Sequence, residues 1–343
     1  HRLQSMQAVA HGADSVQYFQ FRKSRGSSEK LHGAVVDHCG HEHTRVFSEI
    51  AALGAELRQM DEIVGTRAAS KVALIYDWEN RWALSDAQGF INVSPDKKYL
   101  DVFMDHYRAL WSMGVDVDIL DQTCDLSGYE VVIAPFSYML RGDFAEKVDA
   151  FVKAGGAFVT TFGTGFVDEH DLCFLGGFPG PLSDALGVWA EEIDVLMPGM
   201  ENRIEWEGRS YALTDYAELL HLKGDKALAC YESDFYKGMP ALTENEHGKG
   251  RAYVAAARFE PRFLMDFYAR LLAGRGVATR DLPAGVSAVT RTNGQEDFVF
   301  VMNFTPEAKD VTLPGEDFFT GEKVQAFTLP AHGCRVLRAL KGL

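Results

Sequence analysis

The strongest constraint on this chain is an alternation of short strands with helices. Lys71–Tyr76, Val115–Leu120, Tyr129–Ala134 and Ala157–Thr161 read as strands, and Tyr99–Met113 and Phe144–Lys153 between them read as amphipathic helices. The first run, KVALIY, is apolar without alternation, as expected of a strand buried on both faces. Gly114 and Gly155–Gly156 stop the helices, and Pro135 stops the third strand. Strands and helices at this spacing predict an α/β domain with a doubly wound, mostly parallel sheet. Asp77–Trp82 (DWENRW) reads as an aromatic loop after the first strand. From Arg203 to Ala257 the pattern is strand-rich, and Arg262–Ala273 closes the region as a helix.

Sheets of this kind often hold a nucleotide or a nucleophile. Gly155–Gly156 and Gly163-Thr164-Gly165 do not form a G-x-G-x-x-G turn after a first strand, so a dinucleotide site is not expected. The arrangement resembles class I glutamine amidotransferase domains, which need a cysteine on a strand-to-helix turn and a histidine. No cysteine follows Ala134 or Thr161 directly, and Cys124 precedes a strand. The region is read as catalytically silent.

Two different stretches flank it. Downstream, Val286–Arg291, Phe298–Met302, Val311–Leu313 and Val324–Leu329 read as strands. Turns are expected at Asn293-Gly294, Pro314-Gly315 and Thr320-Gly321, which makes a small all-β module. Upstream, Leu3, Met6, Val9 and Ala10 are spaced as a helix, Ser15–Gln20 reads as a buried strand, and Thr44–Met60 reads as a second helix capped by Thr44. Between strand and helix a long polar loop carries Glu29 and His32, a carboxylate and an imidazole three residues apart. Helix, strand, loop and helix make the tail of a β/α repeat. In a closed (β/α)8 barrel, functional groups sit where strands run into such loops.

The stretch YFQFRKSRGSSEKLHGAVVDHCGHEHTRVFSEI, from Tyr18, resembles the eighth strand, loop and helix of a glycoside hydrolase family 42 β-galactosidase. GGAFVTTFGTGFVDEHDLCFLGGFPGPLSDALG, from Gly155, is similar to the family's second domain, which is amidotransferase-like and assembles trimers. Family members commonly end in a small antiparallel domain. The resemblance divides the chain into a truncated last β/α unit of a TIM barrel (1–62), an amidotransferase-like trimerisation domain (63–280) and an all-β domain (281–343). It implies a retaining β-galactosidase acting on terminal non-reducing β-D-galactosides, assembled as a homotrimer. Glu29 and His32 match the family's galactose contacts and Arg22 matches a usual arginine, while Phe21 replaces the more common tryptophan. Both catalytic glutamates lie upstream in this family. No catalytic residue is therefore assigned in this chain, and Glu49, Glu29 and Asp37 are not substitutes. Residues 1–60, short of barrel partners, are expected to be protease-sensitive or packed opportunistically unless the missing part is supplied in trans. The alternative reading is a non-catalytic assembly or sugar-binding module.

Physical chemistry agrees with a sugar contact. A carboxylate accepts hydrogen bonds from two hydroxyls, and an imidazole donates or accepts according to its tautomer. His38, Cys39, His41 and His43 could in principle hold zinc, but their spacing is tighter than in structural sites, so they are read as a polar loop. No metal or cofactor is expected. The loop of Trp78 and Trp82 is a candidate to reach a neighbouring subunit's sugar site, the alternative being burial in the domain or in an interface.

Composition limits the partners. A net charge of -15 argues against nucleic acid or an anionic membrane surface. Five scattered cysteines suggest reduced thiols and a cytoplasmic setting. The chain opens without Met in what reads as mid-helix, as part of a longer polypeptide would.

Overall fold

A computed structural model describes residues 1–68, 70–89, 97–224 and 226–339. It contains two compact units, Ser70–Thr279 and a discontinuous one made of His1–Ala69 with Arg280–Leu343.

The discontinuous unit begins with α1 (Arg2–Ala10), α2 (Arg45–Leu57) and the two-residue strand β1 (Arg67–Ala68). Thr44 caps α2, its Oγ1 accepting from the Phe47 N–H at 3.2 Å. Such a cap contributes about 1 kcal/mol. The expected strand over Ser15–Gln20 does not form. A lone strand has no ladder without neighbours, and the backbone bonds formed at its end belong to the loop that follows. Val35 N–H donates to the Gln20 carbonyl at 3.0 Å and Val36 N–H to that of Phe21 at 2.7 Å.

In the Ser70–Thr279 unit the first elements are β2 (Val72–Ile75), α3 (Trp78–Asp86), α4 (Tyr99–Ser112), β3 (Val117–Leu120) and β4 (Val131–Ala134). Then come α5 (Phe144–Ala154), β5 (Ala157–Thr161), α6 (Ser183–Leu186), β6 (Val188–Val195), β7 (Asn202–Trp206) and β8 (Arg209–Leu222). The unit closes with β9 (Lys226–Cys230), β10 (Pro240–His247), β11 (Gly250–Ala255), β12 (Ala257–Phe259) and α7 (Pro261–Gly274). Seven strands pair in the order β3-β2-β4-β5-β11-β10-β9. The first five run parallel, and β10 and β9 add antiparallel. A smaller antiparallel sheet is built on β8.

Successive residues of the parallel strands serve opposite cores, which is why these runs lack polar positions. Val72, Leu74, Val131 and Ile133 pack with Phe103 and Leu110 of α4 and Phe267 of α7. Ala73, Ile75, Val132 and Ala134 pack with Phe144, Val148 and Val152 of α5. One expectation fails here: Asp77–Trp82 is not a loop but the cap and first residues of α3. The Asp77 carboxylate accepts from the Asn80 N–H at 3.1 Å, which satisfies an otherwise orphaned helix donor.

β8 carries an acid into this interior. Glu218 is 3% exposed, and its Oε1 accepts from the Gly163 N–H at 3.2 Å. Gly163 is at φ +67, and a Cβ there would lie 2.4 Å from the Phe136 ring. Burial pushes the Glu218 carboxyl up to about 8.

The discontinuous unit resumes with β13 (Val286–Thr292), β14 (Asp297–Asn303), β15 (Lys309–Asp317), β16 (Lys323–Leu329) and β17 (Cys334–Arg338). Its antiparallel order is β1-β13-β14-β17-β15-β16. Asn293-Gly294 makes the expected hairpin, with Asn293 Oδ1 accepting from Gln295 and Glu296 N–H. Pro314-Gly315 is not a turn. It lies inside β15, where the pairing with β16 shifts register between Thr312 and Gly315, so a bulge absorbs the proline. Phe298, Phe300 and Met302 face Met6, Val9 and Ala10 of α1 and Leu53 of α2, while Val299 and Val301 face Val311, Val324 and Leu337. Residues from the start of the chain thus cover one face of the late sheet.

Arg291 of β13 fixes that cover. Its side chain is 1% exposed. Nη1 donates to the carbonyls of Val9 (2.8 Å) and Ala13 (3.0 Å), and Nη2 to the Thr66 carbonyl (2.7 Å) and Asp14 Oδ1 (2.8 Å). The arginine, with the Gly65 N–H beside it, holds the Asp14 carboxyl below its ordinary range. Among the described residues, no helix is long and apolar enough to cross a membrane.

Two stability outcomes are expected. Arg291→Met strands several buried carbonyls and should cost about 3–5 kcal/mol in urea unfolding of the discontinuous unit, with faster amide exchange in α1. Glu218 in the unfolded chain ionises near pH 4.3, whereas the native carboxyl keeps its proton to about 8. Between those values rising pH favours the unfolded state, and above them the penalty is constant. Glu218→Gln should therefore raise the melting temperature relative to wild type at pH 8 and leave it unchanged at pH 4.

Candidate functional site

Glu29 and His32 lie on one turn of 3-10 helix, Ser28–Leu31 and its cap, closed by the His32 N–H donating to the Glu29 carbonyl at 2.9 Å. Residues three apart eclipse one another in such a turn, so carboxylate and imidazole share a side. Both side chains are exposed and neither bonds another described residue. They are free to meet a polyhydroxylated ligand.

The loop that presents them is braced from behind. Lys23 Nζ pairs with Asp37 Oδ2 at 3.0 Å, and Asp37 Oδ1 accepts from the His38 N–H at 2.6 Å. These contacts, Lys23 first, hold the Asp37 carboxyl below its ordinary range. Ser24 Oγ donates to Gln20 Oε1 at 3.2 Å, and the Ser24 carbonyl meets His38 Nε2 at 2.9 Å. Gln20 Nε2 is buried without a partner among the described residues. Arg22, Phe21 and Leu31 are exposed. The Arg22 backbone bridges to Val36, so the loop leaves and returns on adjacent lines.

His38, Cys39, His41 and His43 do not converge. His38 turns to Ser24, Cys39 Sγ lies 3.9 Å from His41 Nδ1, and His43 stacks loosely on His41 at 5.5 Å between ring centroids. Among the described residues no group of three or more histidine, cysteine, aspartate or glutamate side chains is arranged to hold a metal ion.

A second polar centre, which the sequence reading missed, sits under α3. Asp77 is fully buried and pairs with Arg141 Nη1 at 2.8 Å. Asn80 donates to the Phe136 carbonyl (3.0 Å) and accepts from the Met139 N–H (2.8 Å). Gln122 donates to the Met139 carbonyl (2.8 Å) and accepts from the Arg141 N–H (2.9 Å). The legible signal was Asp77-x-x-Asn80, a helix start that the aromatic residues around it obscured. These groups satisfy one another, so the centre holds shape. In the same unit, Cys124 Sγ turns to Asp121 Oδ1 at 3.8 Å, and burial pushes the Cys230 thiol up.

Comparison with known proteins gives these positions a context. Residues 1–60 match a family model described as β-galactosidase, residues 70–278 the β-galactosidase trimerisation domain, and residues 285–339 the β-galactosidase C-terminal domain. The chain is 47% identical to the β-galactosidase Pbg of Clostridium perfringens, across 98% of this chain and 51% of that one. It is 49% identical to the β-galactosidase BglY of Alicyclobacillus acidocaldarius, with the same coverage. The crystal structure of a β-galactosidase from Bacillus circulans sp. alkalophilus superposes with a TM-score of 0.93 at 43% identity, covering 99% of this chain and 52% of that one. The chain thus spans about half the length of the curated relatives it matches. With three models in register along the chain and relatives well above 30% identical, this chain belongs to the glycoside hydrolase family 42 β-galactosidases.

Proposed function

We propose that this chain is the C-terminal part of a retaining β-galactosidase that hydrolyses terminal non-reducing β-D-galactosides. The observation that carries the reading is the ordered match of all three β-galactosidase models to one chain. In this reading residues 1–62 are the last β/α unit of a TIM barrel, 63–280 an amidotransferase-like trimerisation domain and 281–343 an all-β domain. The complete protein works as a cytoplasmic homotrimer.

Retaining hydrolysis needs two carboxylates about 5–5.5 Å apart, one as nucleophile and one as acid/base. In this reading both come from barrel strands upstream of His1. This chain contributes grip. The Glu29 carboxylate accepts hydrogen bonds from galactosyl hydroxyls, and the His32 imidazole bonds a neighbouring hydroxyl. Exposure of both side chains and the bracing of Lys23 against Asp37 support this role. Charge-assisted bonds of this sort are worth roughly 1.5–3 kcal/mol each when desolvated.

Two experiments test the reading. The purified 343-residue chain should not turn over an aryl β-galactoside, and turnover would refute the upstream placement of the catalytic pair. A chimera that joins it to the upstream half of the Clostridium perfringens relative should be active. In that chimera Glu29→Gln or His32→Ala should lower kcat/KM roughly 10- to 100-fold. Unchanged kinetics would remove these residues from the sugar site and leave the assembly-module reading.

A further inference from the structure

α3 leaves its two largest apolar side chains in solvent. A surface helix normally buries its large apolar residues and shows polar ones to water. α3 instead buries Asn80, Ala83 and Leu84, while Trp78 is 54% and Trp82 60% exposed. One helical turn apart, the two indoles share a face, with ring centroids 6.2 Å apart.

The face is held ready. The Arg81 guanidinium lies 5.3 Å above the Trp78 ring and donates to the Tyr76 hydroxyl at 2.9 Å. Tyr76 meets Trp78 edge-on at 5.5 Å. Below, Asp77, Asn80 and Arg141 tie the helix to the loop after β4, and Arg141 also reaches Glu79 at 3.1 Å. Little ordering entropy is left to lose on contact.

We infer that the Trp78–Trp82 face of α3 is a subunit contact that takes a second copy of this chain. The inference rests on the assembly role proposed above and names the surface that performs it. Three observations select this face and this occupant. The helix lies within residues 70–278, the stretch that matches a trimerisation domain. Tryptophan and arginine are the residues most enriched at the energetic centres of interfaces. The polar groups flanking the indoles carry both signs, Arg81 and Arg141 beside Glu79, so a surface of the same acidic protein can be met without stacking like charge. Contacts in a three-fold ring are heterologous, so the face need not be complementary to itself.

Magnitude defines its part in the contact. Two indoles bury roughly 300–500 Å² at most, against about 800 Å² per partner in a standard interface. The pair supplies the dry centre, and surrounding loops supply the rim. Other exposed aromatics suit this role less. Trp189 already spends one face on His221, with centroids 4.0 Å apart and planes 7° apart, and Phe235 packs edge-on to Tyr236.

Sedimentation of the 343-residue chain tests this. Wild type should form a trimer. Trp82→Asp and Trp78→Asp should weaken association by roughly 30-fold or more, while Phe235→Asp should not. Trp82→Ser, checked by circular dichroism, serves if the aspartate variants fail to fold. Exchange in the wild-type chain gives a second readout, with amides of 78–86 more protected at high than at low protein concentration. A trimer that persists in the folded variants, or concentration-independent exchange there, overturns the face and leaves the assembly reading standing. A monomeric wild type overturns both.

Discussion

The charge on Arg291 cannot reach water, and the discontinuous unit is arranged around that fact. An isolated buried guanidinium would cost many kcal/mol, so it survives only where acceptors converge. Here three carbonyls, from Val9, Ala13 and Thr66, and the Asp14 carboxylate converge on it. They come from the end of α1, the turn after it and the run into β1. The late sheet supplies the cation and the early segment the acceptors, so neither is satisfied alone. The apolar cluster of Met6, Val9 and Leu53 against Phe298, Phe300 and Val336 adds area, while Arg291 sets position.

The other unit obeys a different constraint, and that one could be read directly from residues. A parallel strand covered on both sides has no polar position to spare, and KVALIY and YEVVIA say so. Their strands, the helices α4 and α5 and the capping Thr44 lie where periodicity put them. The failures have different causes. Ser15–Gln20 has the composition of a strand, but a strand exists only by its neighbours. Pro314-Gly315 has the composition of a turn, yet a bulge accommodates it. DWENRW looked like a loop because bulky residues masked a cap. Pairing with β16 decides the proline, missing neighbours decide the strand, and the Asp77 cap lies inside the misread run itself.

The candidate site was legible in another sense. Glu29 and His32 stood out by residue type and by resemblance, and one 3-10 turn accounts for their spacing. In the proposed reading their role depends on barrel groups upstream, which no local pattern can supply. The buried centre of Asp77, Asn80, Gln122 and Arg141 had the opposite fate. Its members are scattered over 65 positions, from 77 to 141, and only the folded backbone brings their donors and acceptors together.

The pairing of Arg291 with Thr66 spans 225 positions. During synthesis at about 5–20 residues per second, the early segment waits roughly 10 to 45 seconds for the strand that completes it. The Ser70–Thr279 unit emerges whole in that interval and can fold first. Until then the residues of α1 and α2 that meet Phe298, Phe300 and Met302 lack that cover. The order of synthesis therefore makes the Arg291 cluster the later of the two units' cores to be completed.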